Sequence, residues 1–160
     1  MAVLDLERYI SKTLVPVQVK NEDEIKYNPV DKRQIKGDFQ LFTIEPELNG
    51  KRRVVERLVQ DDVMGAIVHK IAEGGETNLH CHRSADATWV VLEGQVTFYD
   101  EKDEEIARLN PREGLFVPRG KAYWFQSTSK EPSVLFRVSS RHPNIPNERL
   151  DYGTAFVPNE

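Results

Sequence analysis

The sequence predicts an all-β protein, a small barrel or sandwich. Three observations carry this. The 160-residue length fits a single domain with a real core. Between residues 38 and 140, short β-prone runs follow one another, each bounded by turn residues. That span also leaves no room for the intervening helices, of roughly ten or more residues, that a parallel α/β fold requires.

Composition excludes several classes. Lys+Arg 22 against Asp+Glu 26 gives a net charge of -4, and the pI is near 5.6. A nucleic-acid surface would normally carry net positive charge, so no nucleic-acid partner is expected. The longest apolar runs, such as Trp89-Val90-Val91-Leu92, fall far short of the roughly 20 residues that span a bilayer. The opening Met1-Ala2-Val3-Leu4 is cut by Asp5, Glu7 and Arg8, so no secretory segment is expected. The one cysteine, Cys81, permits no internal disulfide. Together these lead us to expect a cytoplasmic protein with no membrane partner.

Taken in order, residues 1–37 read as an N-terminal arm. Val3, Leu6 and Ile10 share a helical face, which predicts a short amphipathic helix over 2–13. Residues 16–37 are polar and broken by Pro29, and read as an extended segment. Val15, Val17, Val19 and Ile25 are spaced as an edge strand would be. An arm of that kind can add to the sheet of a second copy, so a homodimer is expected.

The barrel is expected over 38–140. Phe42 and Ile44 begin it with a strand-like alternation. Strands are then expected at 53–59, 66–71, 79–82, 88–92, 95–99, 105–109, 115–117, 122–126 and 134–139. Gly74-Gly75, Glu93-Gly94, Asp100 to Asp103, Asn110-Pro111, Arg119-Gly120 and Ser127 to Pro132 supply the turns. The tail, 141–160, carries Pro143, Pro146 and Pro158 and is expected to be irregular.

The chemistry concentrates around His80-Cys81-His82. Residues two apart on a strand share a face, so His80 and His82 stand side by side and Cys81 points away. A pair of imidazoles is half of a common metal site. The lead-in is Gly74-Gly75-Glu76-Thr77-Asn78-Leu79, and Gly94 closes the following strand. Further on comes Gly114-Leu115-Phe116-Val117-Pro118-Arg119-Gly120.

In these segments the chain resembles the cupin superfamily. Gly74, His80, His82 and Gly94 fall where its first motif has a glycine, His-x-His and a closing glycine. Gly114, Pro118 and Gly120 match the second motif. The resemblance spans about 66–138 and implies a double-stranded β-helix, a jelly-roll barrel with its pocket inside. Two of the four family ligand positions are kept. Counting back from Gly94 lands on Ala87 where the family has glutamate. Asp86 is one residue early, and a one-residue slip turns a strand side chain to the other face, so only a local bend would bring it in. Tyr123 stands at the second-motif histidine and Ser127 at the asparagine. The expectation is no metal, or one weakly held divalent ion (Zn, Ni, Fe or Mn) on His80 and His82.

If the family register holds, His80, His82 and Tyr123 form the reactive set. Trp89 and Phe125 wall the pocket, and Asp86 is a further candidate substrate contact. A buried Tyr123 hydroxyl needs a partner, and the histidine pair is the nearest candidate. The expected function is a small-molecule-binding cupin, in its enzymatic form a non-redox isomerase, epimerase, dehydratase or cyclase of a small carbonyl or sugar-like compound. Two alternatives stay open: a metal-dependent oxygenase or lyase, and a binding or sensing module without catalysis. His69 reads more simply as a solvent-side or satisfied histidine than as a pocket residue. Arg119, Lys121, Arg137 and Arg141 either hold an anionic substrate at the barrel mouth or form a solvent face.

Overall fold

The computed structural model describes residues 10–17, 26–27 and 39–152. Among the described residues, twelve strands run in chain order. They are β1 (Pro16–Val17), β2 (Lys26–Tyr27), β3 (Arg53–Gln60), β4 (Met64–Ile71), β5 (His80–His82) and β6 (Ala87–Glu93). Then come β7 (Val96–Tyr99), β8 (Glu105–Leu109), β9 (Gly114–Val117), β10 (Trp124–Ser127), β11 (Ser133–Ser140) and β12 (Arg149–Tyr152). No helix occurs among the described residues, so none is long and apolar enough to cross a membrane. The all-β double-stranded β-helix is the fold.

A large sheet has the order β2-β3-β4-β11-β6-β9. Two smaller sheets, β10-β7-β8 and β1-β12-β5, complete the layers. A backbone bridge between His80 and Tyr123 joins the histidine strand to the approach to β10.

The large sheet is apolar on both faces. Its inner face joins a core of Ile71, Trp89, Val91, Phe98, Tyr123 and Phe125. Its outer face carries a second cluster, with Leu58, Ala66, Val68 and Val134 buried and Ile44 and Phe136 packed against them. Phe42 stacks on Phe136 at 6.5 Å between ring centroids. Residues 42–44 therefore cover the outer face without entering a ladder, which corrects the strand expected there.

Most of the helix expected over 2–13 lies outside the described residues. Its described end, residues 10–13, is not helical. Two pieces of the expected arm are seen within the chain's own sheets: β1 pairs antiparallel with β12, and β2 pairs parallel with β3. Val19 and Ile25 lie outside the described residues. In the tail, β12 is a strand where irregular chain was expected. It follows Pro143 and Pro146, whose rings cannot donate to a ladder, and begins where free N–H groups resume. It pairs with β5 in the register Arg149 with His82, Leu150 with Cys81 and Asp151 with His80.

Candidate functional site

Strand parity brings the expected residues together. His80 is 3% exposed. It exchanges backbone hydrogen bonds with Tyr123: His80 N donates to Tyr123 O at 3.1 Å, and Tyr123 N to His80 O at 2.9 Å. Directly opposed residues share a face, and the two rings lie 4.7 Å apart. His82 follows on the same face, 5.3 Å from His80 and nearly perpendicular to it. The Gly120 N–H donates to His82 O at 2.8 Å, tying the second glycine motif to the histidine strand. Gly120 has φ +80°, a conformation open to glycine, and so can close that turn.

His80 has a fixed tautomer. Its Nδ1 lies 2.7 Å from the backbone carbonyl of Asn78. A carbonyl oxygen only accepts, so Nδ1 carries the proton and Nε2 the lone pair. Asn78 is itself clamped. Its Nδ2 donates to Asp151 Oδ1 at 2.7 Å, and Arg149 Nη2 donates to its Oδ1 at 2.6 Å. Arg149 Nε closes the triangle on Asp151 Oδ1 at 2.8 Å.

Tyr123 finds a different partner from the one expected. Its hydroxyl accepts a hydrogen bond from Trp89 Nε1 at 3.3 Å. The oxygen is held by the indole, and the hydroxyl's own proton is left to donate. Burial pushes this phenol above its ordinary value, so it stays protonated at neutral pH. Phe125 is fully buried against Phe98, Tyr123 and Trp89, an aromatic wall that also belongs to the core.

Two residues not chosen from the sequence belong to the same face. Leu135 pairs with His69, and Arg137 pairs with Ile67 on one side and Trp89 on the other. His69 lies 5.1 Å from the Trp89 ring, edge-on. The Arg137 guanidinium carbon sits 5.6 Å over the same ring. His69 is 8% exposed and Arg137 7%. His69 Nδ1 and Arg137 Nε and Nη2 are buried without a hydrogen-bond partner.

These charges set the protonation of the site. His69, His80 and His82 are all driven well below the ordinary 6.5, first by burial. Arg137 and Arg149 push each of the three further down, and Arg53 adds to His69. All three imidazoles are neutral at pH 7.

Asp86 stands apart. Its Oδ1 accepts from the Arg119 backbone N–H at 2.8 Å, and its Oδ2 pairs with Arg119 Nη1 at 2.8 Å. Both oxygens brace the Pro118–Gly120 turn. Cys81 faces away as parity requires, with its thiol 3.3 Å from the Tyr152 hydroxyl. Among the described residues no group of three or more His, Cys, Asp or Glu side chains is placed to hold a metal ion. Two neutral imidazoles beside guanidinium groups, with the nearest expected carboxylate engaged elsewhere, are a poor donor set for a divalent ion. A surface groove of about 690 Å³ is lined by Thr13, Ile106, Phe116, Lys121 and Tyr123 among others, and by none of the histidines.

Residues 67–139 match the family model described as Cupin domain. They form a cupin domain. Solved structures agree on the fold. One is an uncharacterized conserved protein with a double-stranded β-helix domain from Klebsiella pneumoniae, at TM-score 0.57 and 17% identity, covering 68% of this chain and 90% of that one. A second is the TT1209 protein from Thermus thermophilus, at TM-score 0.54 and 24% identity, covering 61% and 91%. A third, an RmlC-like cupin protein from Desulfovibrio desulfuricans, has TM-score 0.54 and 16% identity, covering 68% and 97%. No curated protein matches the sequence. At these identities the cupin likeness carries the fold, and the chemistry rests on this chain's own residues.

Proposed function

We propose that this cupin domain binds a small carbonyl or sugar-like compound inside its barrel and moves a proton on it without redox chemistry. Isomerisation, epimerisation, dehydration and cyclisation all share that step. The observation that carries the reading is the His80 tautomer, which leaves Nε2 as a neutral base beside the Tyr123 ring. His80 Nε2 takes the proton from the carbon next to the carbonyl. The C–H electron pair moves into a carbon–carbon double bond, and the carbonyl pair moves onto oxygen. Tyr123 O–H donates to that oxygen, with Trp89 Nε1 holding the phenol from behind. His82 stands next to His80 and orients the compound or relays the proton.

The donor set does not fit a tightly held resident metal, and no step is assigned to one. A divalent ion on His80 and His82 would be weakly bound. We place the protein in the cytoplasm as a homodimer. The exposed apolar side chains Ile106 and Phe116, on β8 and the edge strand β9, support a second copy there. Light scattering that gives a monomer at high concentration removes the dimer.

The reading is tested by incubating the protein in D2O with a panel of small hydroxy-carbonyl compounds and following loss of the α-proton signal by NMR. Exchange that persists after chelator treatment and disappears in His80→Gln and Tyr123→Phe supports it. Chelator-sensitive turnover favours the metal-dependent oxygenase or lyase. Saturable binding of these compounds without exchange favours a non-catalytic module.

A further inference from the structure

Among the described residues, Arg137 is the one buried guanidinium whose Nε and Nη2 both lack a partner. These two nitrogens form one edge of the guanidinium, with two parallel N–H bonds. That edge matches the two oxygens of a carboxylate. A buried cation is costly unless it is paired. Burial is the main load on the Arg137 charge; the Tyr123 oxygen eases it, and the cations Arg149 and Arg141 add to it. The Trp89 face beneath the guanidinium offsets part of it.

We propose that the inner face of β4, β11 and β6 is a subsite for the carboxylate of a small organic acid, bound bidentately by the Nε and Nη2 edge of Arg137, with His69 Nδ1–H as a further donor. The pairing register supports the geometry. His69 and Arg137 lie diagonally across neighbouring strands, about 7–8 Å apart at the backbone and within reach of a long side chain. Both sit against Trp89. His69 is neutral and can carry its proton on Nδ1. The unpaired edge is closed to water in this conformation, so an anion enters by displacing a covering side chain. His82 is half-buried, and after burial Arg137 is the first charge acting on it, which makes it the side chain to move. This subsite deepens the proposed function by making the carbonyl compound an acid, and so rests on that reading.

The test uses the full chain carrying Trp124→Phe, so that Trp89 is the one remaining tryptophan. Trp89 fluorescence is titrated with acetate and pyruvate, with acetamide as the neutral analogue and sulfate as a tetrahedral oxyanion. The expected result is saturation by acetate or pyruvate with a dissociation constant of about 1 mM, and no saturation by acetamide or sulfate. Arg137→Lys keeps the charge but loses the fork, and is expected to weaken binding at least about tenfold. His69→Gln is expected to weaken it about threefold to tenfold. Circular dichroism selects the folded variants, and His69→Gln carries the test if Arg137→Lys does not fold. Equal response to acetate and acetamide, saturation by sulfate as tight as by acetate, or undiminished binding in the folded variants would overturn the subsite.

The two readings fail separately. His80-dependent exchange on neutral carbonyl compounds, with no carboxylate binding, sinks the subsite and leaves the proton-transfer reading standing. Arg137-dependent acetate binding, with no exchange on any compound, does the reverse.

Discussion

The Nδ1–H of His80 donates to the backbone oxygen of Asn78, two residues earlier in the chain, at 2.7 Å. That contact decides which nitrogen of His80 is free to act. It depends on Asn78 staying put, and the Asn78 side chain is held by Arg149 and Asp151 of β12. Asn78→Ala is therefore expected to lower the proton-exchange rate about tenfold or more through positioning alone. The kcat should fall, and the pH midpoint of the rate should move as the His80 ring loosens. An unchanged rate and profile would mean that the clamp has no functional role.

Tyr123→Phe keeps the ring packed but removes the acceptor for Trp89 Nε1. The buried indole N–H is then left without a partner, which costs about 1–3 kcal/mol. Urea unfolding should show a lower midpoint with an unchanged slope. A variant as stable as the parent would mean that the indole finds water.

Tyr123→His places a third imidazole opposite His80 across the backbone bridge. Zinc or nickel affinity, measured by calorimetry, is expected to rise at least about tenfold over the parent. No increase would show that Arg137 and Arg149 dominate the site whatever donors it holds.

Stability should fall as the solution is acidified. His69, His80 and His82 have folded-state values depressed by burial and by nearby cations. Below about pH 6.5 the unfolded chain takes up protons that the folded chain refuses, so unfolding becomes easier. Each histidine contributes up to about 1.4 kcal/mol per pH unit in that window. The loss begins near 6.5 and ends only at the depressed folded values. A melting temperature flat between pH 8 and 5 would contradict the neutral imidazoles.

Gly75→Ala is expected to destabilise strongly, because a Cβ there would collide with the backbone carbonyl of Arg52. The displaced loop is the one that leads into Asn78 and His80. We expect a loss of roughly 2–4 kcal/mol in chemical denaturation. A loss below about 0.5 kcal/mol would show that this loop yields freely.

The barrel and the His80–His82 pair were legible because both depend on period two and on turn residues. His69 and Arg137 were hidden by the same periodicity. On β11 the outer side carries Val134, Phe136 and Val138, all apolar, because residues 42–44 cover that face. The inner side carries Leu135 and Arg137. Alternation alone left Arg137 open between the barrel mouth and a solvent face. The register Arg137 with Trp89 puts it on the inner face, and register is a long-range pairing that no local pattern contains. Asp86 has an ion pair that was illegible for a related reason. Its proximity in sequence to the histidines hid its partner Arg119, 33 residues on. Leu150 and Tyr152 of β12 gave no signal above two prolines and a charged neighbourhood.

The short strand Arg149–Tyr152 has a practical consequence for anyone trimming the gene. A fragment ending at residue 139, where the recognisable cupin segment stops, would keep both glycine motifs and the His80 and His82 imidazoles. It would also strip away β12 and with it the Asn78 clamp, leaving the backbone of His80 to His82 unpaired along one side. Such a fragment should express as sticky, self-associating material. The smallest piece that behaves as this protein must run through Tyr152.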